Sequence, residues 1–319
     1  MKVMRANVYA AKSDMTQEAW LASRRKGIGG SDAAAIIGLN PYRGAYAVYM
    51  DKIGLAPEQE DNERMRQGRD LEEYVARRFR EHCEEIGTPK KTKNCNYILQ
   101  HPKYPWMLAN VDRLIVGENA GLECKTTSVL NLKRFKNGEY PQEYYVQCVH
   151  YMAVTGAKRW YLGVLILNQG YNTYVIERDE DEIESLIRLE QDFWENNVLC
   201  EHEPSPDGRE RTGELIKSLY PAGHDEEEID VSLYDDEIER YMKLSEEIKE
   251  KELEQDKIKQ SVQAFMKEAG LGISSRYKVT WRTTEAVRLD SKALKAEMPD
   301  IYGKYAKPSN TRRFTINKI

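Results

Sequence analysis

The sequence predicts a mixed α/β core followed by an α-rich C-terminal extension, on three observations. Two pairs of short β-type runs, 109–116 with 121–126 and 159–168 with 172–178, are each joined by a short polar connection. Stretches with helical apolar spacing lie between and after them, at 141–155 and 179–198. Past residue 200 the character changes to a Pro- and Gly-containing acidic segment and then a long Glu/Lys-rich helical stretch. Residues 1–200 therefore read as the core, 201–233 as an acidic connection, and 234–319 as a helical arm with a basic C-terminal strand and tail.

Composition narrows the function classes. The chain has 319 residues, 40% hydrophobic and 32% charged, and no 18-residue apolar run of the kind that crosses a membrane. The segment MKVMRANVYAAKSD lacks the apolar stretch of a signal peptide, so the expected compartment is the cytoplasm. The five cysteines, at 83, 95, 124, 148 and 200, form no C-x-x-C pair and suggest neither a disulfide framework, a zinc ribbon nor an iron–sulfur cluster. Net charge is −5, but residues 1–170 carry 25 Lys+Arg against 19 Asp+Glu, whereas residues 171–319 carry 23 against 34. The basic half is the one that suits a polyanion.

Taken in order, Thr16 precedes a helix that includes Trp20 and Leu21 and ends at the glycine cluster 27, 29 and 30. Ser31 or Asp32 is expected to cap a second, apolar helix over Ala33–Ile37. A glycine turn opening a helix presents free N–H groups, and Arg24, Arg25 and Lys26 stand beside it, a combination suited to phosphate. The bland alternative is a capped helix with exposed basic residues. In QGRDLEEYVARRF, Leu71, Val75 and Phe79 form an inward stripe that Glu72 borders, while Glu73 points further outward. Residues 94–100 read as a strand. Pro141 and Gly156 bracket the helix at 141–155, where Gln147 and Tyr151 share a face and His150 reads as a packing or surface residue and not as a ligand.

The hairpin at 109–126 carries the chemistry. If residues 117–120 form its turn, Val116 faces Gly121, Leu114 pairs with Glu123 and Asp112 with Lys125. Asp112, Glu123 and Lys125 then share one face, with opposed residues about 5 Å apart and diagonal ones about 7–8 Å. Two carboxylates so placed suit magnesium or manganese, and a nearby ammonium can stabilise charge developing on a phosphate. The pattern Asp, ten residues, Glu-x-Lys fits metal-assisted phosphodiester hydrolysis, though a charged surface hairpin can show it too.

The segments RRKGIGGSDAAAIIGLNPYRGAYAVYMDKIGL, RQGRDLEEYVARRF, DRLIVGENAGLECKTTS and YYVQCVHYMAVTG, in this order over about residues 20–170 and with RRFTINK near the end, resemble the YqaJ-like viral recombinase family. This is a lambda-exonuclease-like branch of the PD-(D/E)xK nuclease superfamily. The resemblance implies a restriction-endonuclease-like core, a central mixed sheet flanked by helices. It implies catalytic roles for Glu72, Asp112, Glu123, Lys125 and Gln147, the last in a Gln-x-x-x-Tyr motif with Tyr151. Gln147 either orients Lys125 or meets the DNA backbone. The implied metal ligands are Asp112, Glu123, the backbone carbonyl of Cys124, and Glu72, for Mg2+ with Mn2+ able to substitute. Trp20, Arg24 and Ser31, with Arg25 as a neighbour and Tyr151, are the implied DNA contacts, the first three at a 5′-phosphorylated end.

The implied activity is 5′-to-3′ digestion of double-stranded DNA leaving 3′ single strands in phage-type recombination. The implied setting is the cytoplasm of a bacterial cell carrying a phage or prophage. A ring-shaped trimer and a single-strand annealing protein are the implied partners. Two alternatives stand beside it: a sequence- or structure-specific endonuclease on the same core, and a catalytically inactive DNA-binding recombination factor. Glu72, Asp112, Glu123 and Lys125 occurring together weigh against the second.

Overall fold

A five-stranded mixed sheet with helices on both faces organises the first part of the chain. The computed structural model describes residues 4–57, 61–223, 227–307 and 312–318, and divides into two units, Met1–Tyr220 and Pro221–Ile319. In the first, β1 (Asn7–Ala11) precedes α1 (Gln17–Arg25), α2 (Gly30–Ile36), α3 (Ala45–Lys52) and the long α4 (Glu63–Glu85). Strands β2 (Thr92–Asn94), β3 (Tyr97–Gln100), β4 (Leu108–Ala109), β5 (Arg113–Ile115) and β6 (Ala120–Thr127) follow. Then come α5 (Gln142–Thr155), β7 (Arg159–Ile166), β8 (Gly170–Glu177), α6 (Glu180–Asp192), which runs into a π-helical turn at Phe193–Leu199, and α7 (Glu210–Leu219).

The large sheet has the order β2-β5-β6-β7-β8, and β1-β3-β4 form a smaller one. Strands β6 and β7 are parallel, and α5 makes the crossover that parallel neighbours require. Alternation along the strands assigns the faces. Ile115, Ala120, Leu122 and Tyr161 pack with Ala76 and Phe79 of α4; Trp160, Leu162 and Val164 join the larger core with α2, α3, α5 and α6. Gly121 allows this, because a Cβ there would meet the Trp160 ring at 2.2 Å.

Four expectations are corrected here. The strand expected at 94–100 is two strands, β2 and β3, which belong to different sheets. The cap of α2 is Gly29; Asp32 lies inside the first turn, and its carboxylate accepts from the Gly29 N–H at 3.1 Å. The hairpin register is shifted by two residues: Arg113 opposes Leu122 and Leu114 opposes Gly121, with the connection at 116–119 and Gly117 at φ +85°. Apolar patterning cannot separate the two registers, since a shift of two keeps every side chain on its face. Residues 210–219, read as part of the acidic connection, form α7, which lies in the first unit.

In the second unit α8 (Asp235–Met266) begins with three acidic residues, which complement the helix dipole. Its apolar seam at Tyr241, Leu244, Ile248, Ile258, Val262 and Phe265 is exposed. The hairpin β9 (Leu271–Ile273) and β10 (Lys278–Thr280) and the short α9 (Ser291–Glu297) and α10 (Pro299–Tyr305) complete it. No described helix is long and apolar enough to cross a membrane.

Candidate active site

Continuing the β5–β6 register brings Asp112 level with Glu123, on the face turned to α5. Asp112 is fixed by the neighbouring strand: its Oδ2 accepts from the Cys124 N–H at 2.8 Å. Lys125, two residues past Glu123, returns to the same face, and its Nζ lies 2.6 Å from Glu123 Oε1. One helix, α5, ties these groups together. Gln147 donates from Nε2 to Glu123 Oε1 at 2.7 Å and to the Tyr151 hydroxyl at 2.9 Å, while its Oε1 accepts from Lys125 at 2.9 Å. The Tyr151 hydroxyl in turn donates to the Asn110 carbonyl at 3.0 Å. The i, i+4 spacing of Gln147 and Tyr151 is what stacks them on one face of the helix.

The electrostatics are those of a crowded anionic pocket with one cation. Burial pushes the Asp112 carboxyl well above its usual range, and the charges of Glu123 and Glu72 add to this. Burial opposes the Lys125 ammonium, but Glu123 and Asp112 outweigh it and hold its pKa above the usual lysine range. The Lys125 ammonium also lies 5.2 Å from the centre of the Tyr144 ring. Glu123 Oε2 is buried without a hydrogen-bond partner. Such an oxygen is costly to bury unless a cation or donor meets it, so the donor set of Asp112 and Glu123 fits a hard divalent ion.

Glu72 acts on Asp112 through its charge and is tied to the pocket through Arg113, which also donates to the Asp112 carbonyl at 2.8 Å. Arg113 opposes Leu122 and faces α4, where its guanidinium, 7% exposed, pairs with Glu72 through Nη1 and with Glu73 through Nη2 at 3.1 Å. Glu72 is thus held by Arg113, and among the described residues no three His, Cys, Asp or Glu side chains converge as a metal-holding group.

Trp20, Arg24 and Ser31 do come together. Arg24 Nη2 donates to Ser31 Oγ at 3.0 Å, and the guanidinium stands 4.9 Å from the centre of the Trp20 ring. Arg25 is turned away to Asp51 at 3.6 Å. This corner abuts the pocket: a Cβ on Gly30 would lie 2.6 Å from Tyr151 and 2.9 Å from Gln147. Arg24 and Asn110 line one small cavity with Ser23, Gly29, Ile98 and Leu108.

Residues 19–158 match the family model described as the YqaJ-like viral recombinase domain. YqaJ, an uncharacterized protein of Bacillus subtilis (strain 168), is 38% identical over 323 residues, covering 100% of both chains. The chain belongs to the YqaJ-like viral recombinase family. Similar solved structures include the alkaline exonuclease LHK-Exo of Laribacter hongkongensis, at TM-score 0.48 and 22% identity, covering 59% of this chain and 95% of that one. A phage-related exonuclease from Haemophilus somnus 129PT has TM-score 0.39 and 14% identity, covering 55% and 96%.

Within this YqaJ-like chain, sequence reasoning missed Tyr144, Asn110, Arg113 and the group behind Arg24, which is Asp32, Arg43 and Lys52. Tyr144 carried a faint signal as an aromatic one turn before Gln147. Lys52 carried none, since its partners Arg24 and Asp32 are 28 and 20 residues away. Of the packing and surface readings of His150 the structure takes the first: fully buried, it bonds Glu190 at 2.8 Å and the Leu108 carbonyl at 2.9 Å.

Proposed function

We propose that this protein is a magnesium-dependent exonuclease on double-stranded DNA, working 5′ to 3′ and leaving 3′ single strands in phage-type recombination. The observation that carries the reading is the closed triangle of Glu123, Lys125 and Gln147, with Asp112 level with Glu123 and held by the Cys124 N–H, beside a buried, unpartnered carboxylate oxygen of Glu123. Asp112, Glu123, the Cys124 carbonyl and Glu72 would hold Mg2+, for which Mn2+ would substitute, while Glu72 Oε1 is paired with Arg113. A bound divalent ion makes water more acidic and neutralises phosphate charge. Lys125 supplies a fixed positive charge where the attacked phosphorus gains negative charge. Gln147 sets the direction of that ammonium, and Tyr151 sets Gln147. Trp20, Arg24 and Ser31 receive the 5′-phosphate, since a terminal phosphate carries more charge than an internal diester and arginine pairs with it in bidentate fashion.

A cytoplasmic setting, a ring-shaped trimer around the DNA and a single-strand annealing partner belong to the same proposal. The deciding experiment digests linear duplex labelled at either end, and closed circular duplex, with and without magnesium. Magnesium-dependent loss of the 5′ label from linear DNA, with circles untouched, is the expected result. Cleavage of circles would make the protein an endonuclease, and no cleavage of either would make it a binding factor.

A further inference from the structure

Behind Arg24 and Ser31 lies an ion pair shut off from solvent. The side chains of Lys52 and Asp32 are 0% and 1% exposed, with Nζ 2.7 Å from Oδ2. The same ammonium donates to the Arg24 carbonyl at 2.8 Å. Asp32 accepts in addition from the Gly29 N–H at 3.1 Å and from Arg43 Nη1 at 2.6 Å, and Arg43 reaches Asp51 at 3.1 Å. One buried ammonium therefore grips the end of α1 at the residue that carries the guanidinium. It also grips the start of α2 at the neighbour of Ser31. A buried pair of this kind is poor evidence for stability, because desolvating both charges offsets their attraction. What it supplies is placement.

We propose that Asp32 and Lys52, with Arg43, are positioning residues that set the Arg24 guanidinium against the Ser31 hydroxyl, and thereby set the preference for a 5′-phosphorylated end. This rests on the end-binding role given to Arg24 and Ser31 above. Recognition of a terminal phosphate by a fork of donors tolerates about 0.5 Å of error, and the Arg24–Ser31 bond at 3.0 Å is the contact to be placed, at the tip of a long side chain, and not a brace between the backbones of α1 and α2. The carbonyl of Arg24 and the carboxylate of Asp32 meet only at Lys52 Nζ.

The test uses the full chain with Asp32→Asn and Lys52→Met combined. The pair of changes removes one charge of each sign, so the net charge of the corner is unaltered and no buried ion is stranded. The readout is the ratio of kcat/KM on 5′-phosphoryl to that on 5′-hydroxyl linear duplex, with melting temperature recorded alongside. A fall in the ratio of about tenfold or more is expected, since displacements near 1 Å cost up to about 100-fold. In an Arg24→Ala background the double change should lower the ratio no further. Arg43→Gln, altered at the partly exposed edge of the group, is the second variant and should give a smaller fall. An Arg24→Ala protein with an undiminished ratio would remove the end-binding corner itself. A ratio lowered by Arg24→Ala but kept by a folded Asp32→Asn/Lys52→Met protein, or by Arg43→Gln if that double variant does not fold, overturns the positioning role.

Discussion

Gly30 lies so close to Tyr151 that a Cβ added to it would stand 2.6 Å from Tyr151 Cε1. The Arg24–Ser31 corner and the pocket are thus in direct contact, with no side chain between Gly30 of α2 and the Gln147–Tyr151 face of α5. Gly30→Ala should cost about 1–3 kcal/mol of stability through overpacking. It should also lower the cleavage rate by displacing Gln147, whose Cγ is 2.9 Å from the same point. Melting and single-turnover digestion of the variant check both; an unchanged melting temperature and rate would show that α2 shifts freely.

Asp112→Asn and Glu123→Gln each remove a carboxylate charge at nearly constant size. Both should abolish cleavage in magnesium while leaving duplex binding, followed by anisotropy, largely intact. Near-normal turnover in either variant would falsify the assignment of the pocket.

Lys125→Ala is expected to lower kcat by on the order of 100-fold or more, as the loss of a fixed transition-state charge does elsewhere. Magnesium affinity by calorimetry should change little. Loss of magnesium binding instead would make Lys125 a structural partner of Glu123.

Stability should carry a pH signature of Asp32. Burial opposes its charge, yet Lys52, Arg43 and Arg24 hold the carboxyl far below the ordinary carboxylate range. A depressed folded pKa contributes stability that is present above the unfolded value, about 3.9, and is lost as the pH falls from there towards the folded value. Chemical denaturation between about pH 5 and pH 2 should therefore show the parent losing more stability than Asp32→Asn/Lys52→Met. Parallel curves would mean that the ion pair contributes nothing net.

By itself the sequence determined the elements that repeat or punctuate locally. Pro141 and Gly156 bounded α5 because one is pre-set for a helix start and the other, at φ +68°, turns out of its end. Alternation placed Asp112, Glu123 and Lys125 on one face, since that parity survives any even shift of register. Tertiary structure alone decided what depends on distant partners. The short turn at Val116–Asn119 set Asp112 level with Glu123 in place of Lys125. Arg113 drew Glu72 across a separation of 41 residues, and Lys52 joined Arg24 across 28. Each of these groups chose its partner by burial and charge, and a side chain's burial is not written in its neighbours along the chain.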